Sequence, residues 1–257
     1  MSATDAEDAP LFGRNPVLEL LRAKSRRVEE IAVLSEGRSP ALQELLGLAK
    51  RSGVKISYRT RDQLTAIAGT PHHQGVVARV AGAEYSSLDD VLAVPGQRGE
   101  PAFFLALDQV QDPRNLGAIL RSAEVTGAHG AVVPKHHAVG LTPAAAKSAM
   151  GAVEHLPVAR ETNIIQVLEI LKKHNVWIVG TAVRGGRAPW EVDLTGPICL
   201  VLGGEGPGVR PLVARACDFL VSIPMRGKIE SLNVGAAAAI LCYEVARQRI
   251  AKPVKSA

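Results

Sequence analysis

The sequence predicts an α/β protein in two parts: a small N-terminal α/β unit, and a larger C-terminal domain built on a parallel sheet. Three observations carry this. The apolar runs FFLAL (103–107), GAVVP (130–134), VWIVGTAV (176–183), ICLVLGG (198–204) and FLVSIPM (219–225) lack period-two alternation, as strands buried on both faces do. Helical stretches alternate with them at 115–127, 143–151, 163–174, 209–217 and roughly 232–249. Finally, 257 residues at 47% hydrophobic content supply a sizeable core, and aromatics at 4% leave its packing to Val, Ile, Leu and Ala.

Ahead of that domain, residues 1–9 are acidic and polar and are expected to be a mobile terminus. NPVLELLRA (15–23) reads as a helix opened by Asn15 and Pro16. VEEIAVL (28–34) is strand-like, and PALQELLGLAKRSG (40–53) is helical with Gly53 as its stop. VKISY (54–58) and GVVARV (75–80) read as strands around a short helix at 60–69. The segment 81–101, with SSLDD and VPGQRGEP, reads as a linker carrying one short helix. The expected boundaries are thus 10–80, 81–101 and 102–250, with a basic tail at 251–257.

Net charge is +5, and its distribution says more than its total. Residues 10–80 hold twelve Lys/Arg and six Asp/Glu, an excess of +6, whereas residues 1–9 hold −3. Such an excess suits either a solvated surface or an anionic partner. Cys199, Cys217 and Cys242 stand far apart without CxxC spacing, so neither a disulfide framework nor a metal site is expected. No apolar stretch reaches the ~18 residues of a membrane span, and the N-terminus has no signal pattern. A cytoplasmic location is the expectation.

Three segments combine loop position, glycine and polar groups where a strand hands over to a helix, the edge at which open α/β sheets bind ligands. In QDPRNLGAILRSAEVTG (111–127) Pro113 fixes a turn and Asn115 reads as the N-cap. Arg121 lies six positions on, expected on the buried side, where it could also simply pair with Glu124 or Asp108. GGEGPGV (203–209) lets backbone amides approach a ligand. It has neither GxGxxG spacing nor a GK[ST] ending, so NAD and ATP are poor fits. A tight strand–helix connection would account for it equally. In IPMRGKIESLNVGAAAAILCYEVARQR (223–249) a basic loop leads through Ser231–Leu232–Asn233 into an alanine-rich helix, with Ser231 as a possible cap.

The order of the three is more specific than any one. DPRNLGAILRSA, LVLGGEGPGV and VSIPMRGKIESLNVGAAAAI resemble the three motifs of the SpoU (TrmH-like) RNA 2′-O-methyltransferases of the SPOUT class, over about 103–249. LFGRNPVLELL and HHQGVVA resemble, less specifically, the substrate-binding domain of that family's 23S rRNA guanosine-2′-O-methyltransferases.

That resemblance implies a trefoil-knotted catalytic domain, S-adenosylmethionine (AdoMet) as cofactor and a homodimer. It implies cofactor loops at 180–186, 203–208 and 223–233, with Thr181, Gly203, Gly204, Glu205, Gly208, Ile223, Met225 and Leu232 as binding residues. It also implies a catalytic set of Asn115, Arg121, Glu205, Ser231 and Asn233. Arg121 would clamp phosphate or stabilise an oxyanion, since a guanidinium with a pKa above ~12 makes a poor base. Arg14, Arg22, Lys24, Arg26, Arg27 and Arg114 are the expected RNA contacts, with ribosomal RNA as partner. Gly235 departs from the serine that many relatives carry after SLNV. A tRNA ribose methyltransferase and a catalytically inactive RNA-binding relative are the alternatives. The separate basic N-terminal unit stands against the first, and the joint presence of all five catalytic candidates stands against the second.

Overall fold

The structure, a computed structural model, describes residues 10–23, 28–35, 40–80, 84–205 and 208–251. Lys24, Arg26 and Arg27, residues 1–9 and 252–257 of the tail lie outside the described residues. The chain forms two compact units, Met1–Glu84 with Leu141–His155, and Tyr85–Gly140 with Leu156–Ala257.

In the first unit, β1 (Leu11–Phe12), β2 (Val28–Leu34), β3 (Lys55–Arg59) and β4 (Val76–Val80) form a mixed sheet in the order β1-β4-β2-β3. β2 and β3 are parallel, and the other pairs are antiparallel. Helices α1 (Arg14–Ala23) and α2 (Pro40–Arg51) cover one face. α1 begins one residue before the predicted Asn15. Leu20, Ile31, Leu45 and Val76 are fully buried there, each stabilising the unit by roughly 1.5–3 kcal/mol. α3 (Arg61–Ala68) covers part of the other face. Thr60 caps it in a reciprocal pair with Gln63, and Gly69 ends it at φ 66°.

A piece of distant sequence completes this unit. α6 (Pro143–Ser148) and the 3-10 turn at Ala152–Glu154 place Ala146 and Val153 in the same core as α1 and β1. Lys147 lies over the Phe12 ring at 4.1 Å. His155 Nε2 meets Glu19 at 3.1 Å. Gly151, at φ 98°, passes so close to α1 that a Cβ would sit 2.5 Å from that of Glu19.

The second unit holds six parallel strands in the order β10-β8-β9-β5-β6-β7. These are β5 (Phe103–Asp108), β6 (Gly130–Pro134), β7 (Val158–Glu161), β8 (Trp177–Thr181), β9 (Ile198–Gly203) and β10 (Phe219–Val221). Every residue of β5, β6 and β9 is buried, as the unbroken apolar runs require. β7 was not anticipated. Four residues with a charged half, VARE, are too short to show a period. β8 and β10 are shorter than predicted because the chain leaves both strands for loops, after Thr181 and Val221.

Helices α4 (Leu88–Arg98), α5 (Pro113–Val125), α7 (Ile164–Lys173), α8 (Pro211–Arg215) and α9 (Val234–Ala251) cover the sheet. α4 occupies most of 81–101 and is longer than the short helix expected. Ser87 and Asp90 form its capping box, Gly99 ends it, and Val91 joins the core. The strand order reverses between β5 and β9, so the carboxyl ends of β5, β8, β9 and β10 face a common crevice.

Candidate functional site

Four chain segments meet at that crevice, and glycine decides how closely. At Gly203, which ends β9, a Cβ would sit 1.9 Å from the Gly208 carbonyl carbon and 2.1 Å from Val209 N. At Gly204 it would sit 2.3 Å from Gln109 O. The chain after β9 therefore folds back on itself and against the turn after β5. These glycines are demanded by the protein's own backbone, a firmer reason than the ligand approach that sequence alone offered. Gly186 similarly lets the loop after β8 approach Val221 and Ser222.

An ion pair between a buried carboxylate and a half-exposed guanidinium fixes the far end of this loop. Asp108 closes β5 with no exposed surface. Its carboxylate accepts from Arg210 N at 2.8 Å and Nε at 2.8 Å, and contacts Nη2 at 2.7 Å. With three donors on one carboxylate, the charge is compensated where water cannot reach it. Sequence reading offered Asp108 only as a partner for Arg121. The true partner lies 102 residues away.

The resulting pocket is lined by Thr181, Ala182 and Val183 after β8, and by Gly203, Gly204, Glu205 and Gly208 after β9. Val221, Ile223, Met225, Glu230, Ser231 and Leu232 line it from the chain after β10. All eight residues expected at the cofactor thus surround one cavity, and Ser231 joins them. Its apolar floor was missed: Val221 with Val234, Ala237 and Leu241 of α9. The spacing 234, 237, 241 is a helical face that periodicity could have found. Glu230 was also missed. It pairs with Arg184 across the pocket's outer edge at 2.6 Å, with both side chains largely exposed, so the pair adds little stability.

Three expectations about the first motif change. Asp112, not Asn115, caps α5, with Oδ1 accepting from Arg114 N at 2.7 Å. Pro113 takes the first helical position, which moves the cap back by three residues. Asn115 is buried, and its Oδ1 accepts from Asn233 Nδ2 at 2.9 Å. Asn233 is the cap of α9, its Oδ1 accepting from Gly235 N and Ala236 N, and Ser231 is not. Arg121 is exposed, not buried. Six residues turn a helix through about 240° beyond one full revolution, so Arg121 points away from Asn115. Among the described residues Arg121 makes no ion pair or hydrogen bond. Neither it, Asn115 nor Asn233 lines the pocket.

α9 and α5 pack closely. A Cβ on Gly235 would lie 3.1 Å from Ala118 Cβ, so the departure from serine here matches a tight helix crossing.

Of the expected RNA contacts, Arg22 is bound in ion pairs to Glu19 and Glu44 at 2.6 and 2.5 Å. Arg14 holds the Gln74 turn, with Nε donating to the Gln74 carbonyl at 3.1 Å. Arg114 is exposed. A different group gathers on the sheet of the first unit. Register sets Lys55, Glu30 and Arg79 side by side across β3, β2 and β4. Arg59 reaches the same carboxylate at 3.8 Å. The neighbouring Ser57 hydroxyl, then these cations, hold the Glu30 carboxyl below its ordinary range. Burial raises the thiols of Cys217 to about 11 and Cys242 to about 12, so neither is a ready nucleophile.

Two family models match the chain: the SpoU rRNA Methylase family over residues 102–243, and RNA 2′-O ribose methyltransferase substrate binding over residues 10–86. The chain is 43% identical over 239 residues to YacO of Bacillus subtilis, provisionally named a TrmH family tRNA/rRNA methyltransferase; the match covers 93% of this chain and 95% of the relative. Identity and both coverages are the same for the 23S rRNA (guanosine-2′-O-)-methyltransferase RlmB of Coxiella burnetii. Among solved structures, the SpoU methyltransferase AviRb from Streptomyces viridochromogenes, in complex with the cofactor AdoMet, superposes with a TM-score of 0.79 at 28% identity, covering 96% of this chain and 93% of that one. The chain belongs to the SpoU family of AdoMet-dependent RNA 2′-O-ribose methyltransferases.

Proposed function

We propose that this protein methylates the ribose 2′-OH of a guanosine in 23S rRNA, acting in the cytoplasm as a homodimer. One observation supports this above others. Both the substrate-binding and the methylase segments are present, and a named 23S rRNA guanosine methyltransferase aligns along 93% of the chain. A tRNA substrate is the second reading, supported by the tRNA/rRNA name of the Bacillus relative.

The pocket suits AdoMet by its own chemistry. Val221, Val234, Ala237 and Leu241 offer an apolar surface for a heterocycle. Gly203, Gly204 and Gly208 present bare backbone, and Glu205 supplies negative charge for a cation. The cofactor brings an electrophilic methyl group on a sulfonium. Thr181, Ile223, Met225 and Leu232 complete the wall that would hold it. The segments after β8, β9 and β10 line one pocket with α9, the convergence that the trefoil knot implied by resemblance requires.

A ribose hydroxyl is a poor nucleophile, so what the protein must supply is positioning and charge stabilisation. In this reading Asn115 and Asn233 lock α5 to the chain that lines the pocket, while Glu205 and Ser231 orient the site. Arg121, exposed and without a partner among the described residues, clamps an RNA phosphate or stabilises the developing oxyanion. The dimer uses α9 and α5, where Ile240, Tyr243, Ile250 and Val125 are exposed.

Ribose methylation should be mapped across total RNA from a strain lacking the gene, carrying it, or carrying Arg121→Ala. One 23S guanosine should lose its methyl group in the deletion and regain it only with the unaltered gene. Loss at a tRNA position instead would sink the rRNA reading.

A further inference from the structure

We infer that the loop Lys135–His137, at the carboxyl end of β6, grips the RNA backbone beside the target nucleotide. This assignment rests on the RNA methyl-transfer reading above. β6 is parallel to β5 and β5 to β9, so the loop opens on the same sheet edge as the pocket. It carries none of the three motifs.

The loop is built, not slack. At its start Lys135 N donates to Glu161 O at 2.8 Å, and Arg160 Nη2 donates to Lys135 O at 3.2 Å. At its end Val139 N donates to Val110 O at 2.9 Å, which ties it to the turn that leads into α5 and Asn115. Gly140 follows, where a Cβ would sit 2.6 Å from the Tyr85 hydroxyl.

Within this frame His137 has φ 57°, and Gln109, at the end of the adjacent β5, has φ 65°. Few non-glycine residues adopt this region, histidine being, with asparagine and aspartate, among those that do so most readily. The backbone at 137 thus presents the imidazole on an exposed turn. Lys135, His136 and His137 are all exposed, and their side chains have no hydrogen-bond or ion-pair partner among the described residues. Three unpartnered donors on a loop tethered at both ends point to a ligand.

The chemistry selects that ligand. An ammonium and two imidazoles donate hydrogen bonds to phosphate oxygens, and Arg114 and Arg160 are exposed on the flanking elements. Lys135 with the guanidiniums of Arg114 and Arg160 gathers positive charge suited to phosphate. Backbone contact, which fixes register without reading sequence, is therefore the fitting role.

Full-length Lys135→Ala/His136→Ala and His137→Gly would be compared with the unaltered protein. The readouts are filter binding of a structured 23S rRNA fragment across salt, calorimetry with AdoMet, thermal unfolding and methyl transfer. The double variant should bind RNA on the order of tenfold more weakly, and its log–log salt slope should be shallower by about 1 for the lysine–phosphate contact. AdoMet affinity and unfolding temperature should not change. His137→Gly should unfold no earlier and still lose several-fold in RNA affinity. If the unaltered protein methylates RNA and the variants bind it equally well, the loop assignment fails alone. Equal losses in RNA and AdoMet affinity would make the loop merely structural and also overturn it. An unaltered protein that transfers methyl groups to no RNA would overturn the functional reading itself.

Discussion

Asn233 and Asn115, 118 residues apart, share a hydrogen bond of 2.9 Å from Nδ2 to Oδ1, while the Asn233 oxygen caps α9. One side chain therefore starts a helix and fastens it to another, immediately beside the pocket-lining Leu232 and Val234. Losing a cap costs about 1 kcal/mol, and losing one partner of this partly buried hydrogen bond costs a similar amount. Asn233→Ala should destabilise by about 2 kcal/mol and Asn115→Ala by about 1 kcal/mol. Denaturant unfolding of both singles and the double should show them coupled, the double costing less than their sum by about 1 kcal/mol. Strict additivity would mean that the pair is not a unit.

Two glycines near the pocket should behave oppositely. Gly203→Ala would force a Cβ into the Gly208–Val209 backbone, so the loop must open. AdoMet affinity should fall at least ~100-fold, equivalent to about 3 kcal/mol, while the sheet stays folded by circular dichroism. Gly185→Ala meets open space at φ 81° and should cost only about 1 kcal/mol of strain. Similar AdoMet affinities by calorimetry for the two variants would refute the close-approach argument.

Because Ala146 and Val153 belong to the core of the first unit, a fragment starting near Glu100 strips the cover from 141–155. Brief trypsin treatment should cut such a fragment after Lys147, and should leave that bond intact in the full chain. Mass spectrometry of the products decides. Charge reversal at Lys55 and Arg79 is thus a cleaner probe of the RNA-reading unit than truncation.

Stability should fall below neutral pH through His129. This ring is fully buried. Its Nδ1 accepts from Phe103 N at 3.0 Å, leaving Nε2 to donate to Glu100. Burial, then nearby Arg98, push it below its ordinary value against the pull of Glu100. The unfolded chain therefore binds this proton first. Its contribution is whole above the unfolded value near ~6.5 and is lost as pH falls towards the folded one. One proton sets the upper limit of that slope at about 1.4 kcal/mol per pH unit. His129→Gln should flatten that part of the profile, measured by urea unfolding between pH 7.5 and 5.5.

Sequence alone determined the layered α/β plan, because strands buried on both faces must be apolar throughout, as FFLAL and ICLVL are. Through the resemblance it also singled out nine of the residues lining the pocket, though not its apolar floor, since motif order survives whatever the chain does between motifs. It did not reveal β7, where VARE is too short to carry a period, nor the excursion of 141–155, whose alanines look like any catalytic-domain helix. The cap of α5 was misread because Asp112 and Asn115 are equally good caps, and only the backbone path after Pro113 chooses between them. The Asp108–Arg210 and Asn115–Asn233 pairs were equally out of reach. Each joins side chains more than a hundred residues apart. Propensity and spacing act over a few residues, whereas partners for buried polar groups are assigned only when the sheet order brings distant strand ends to one edge.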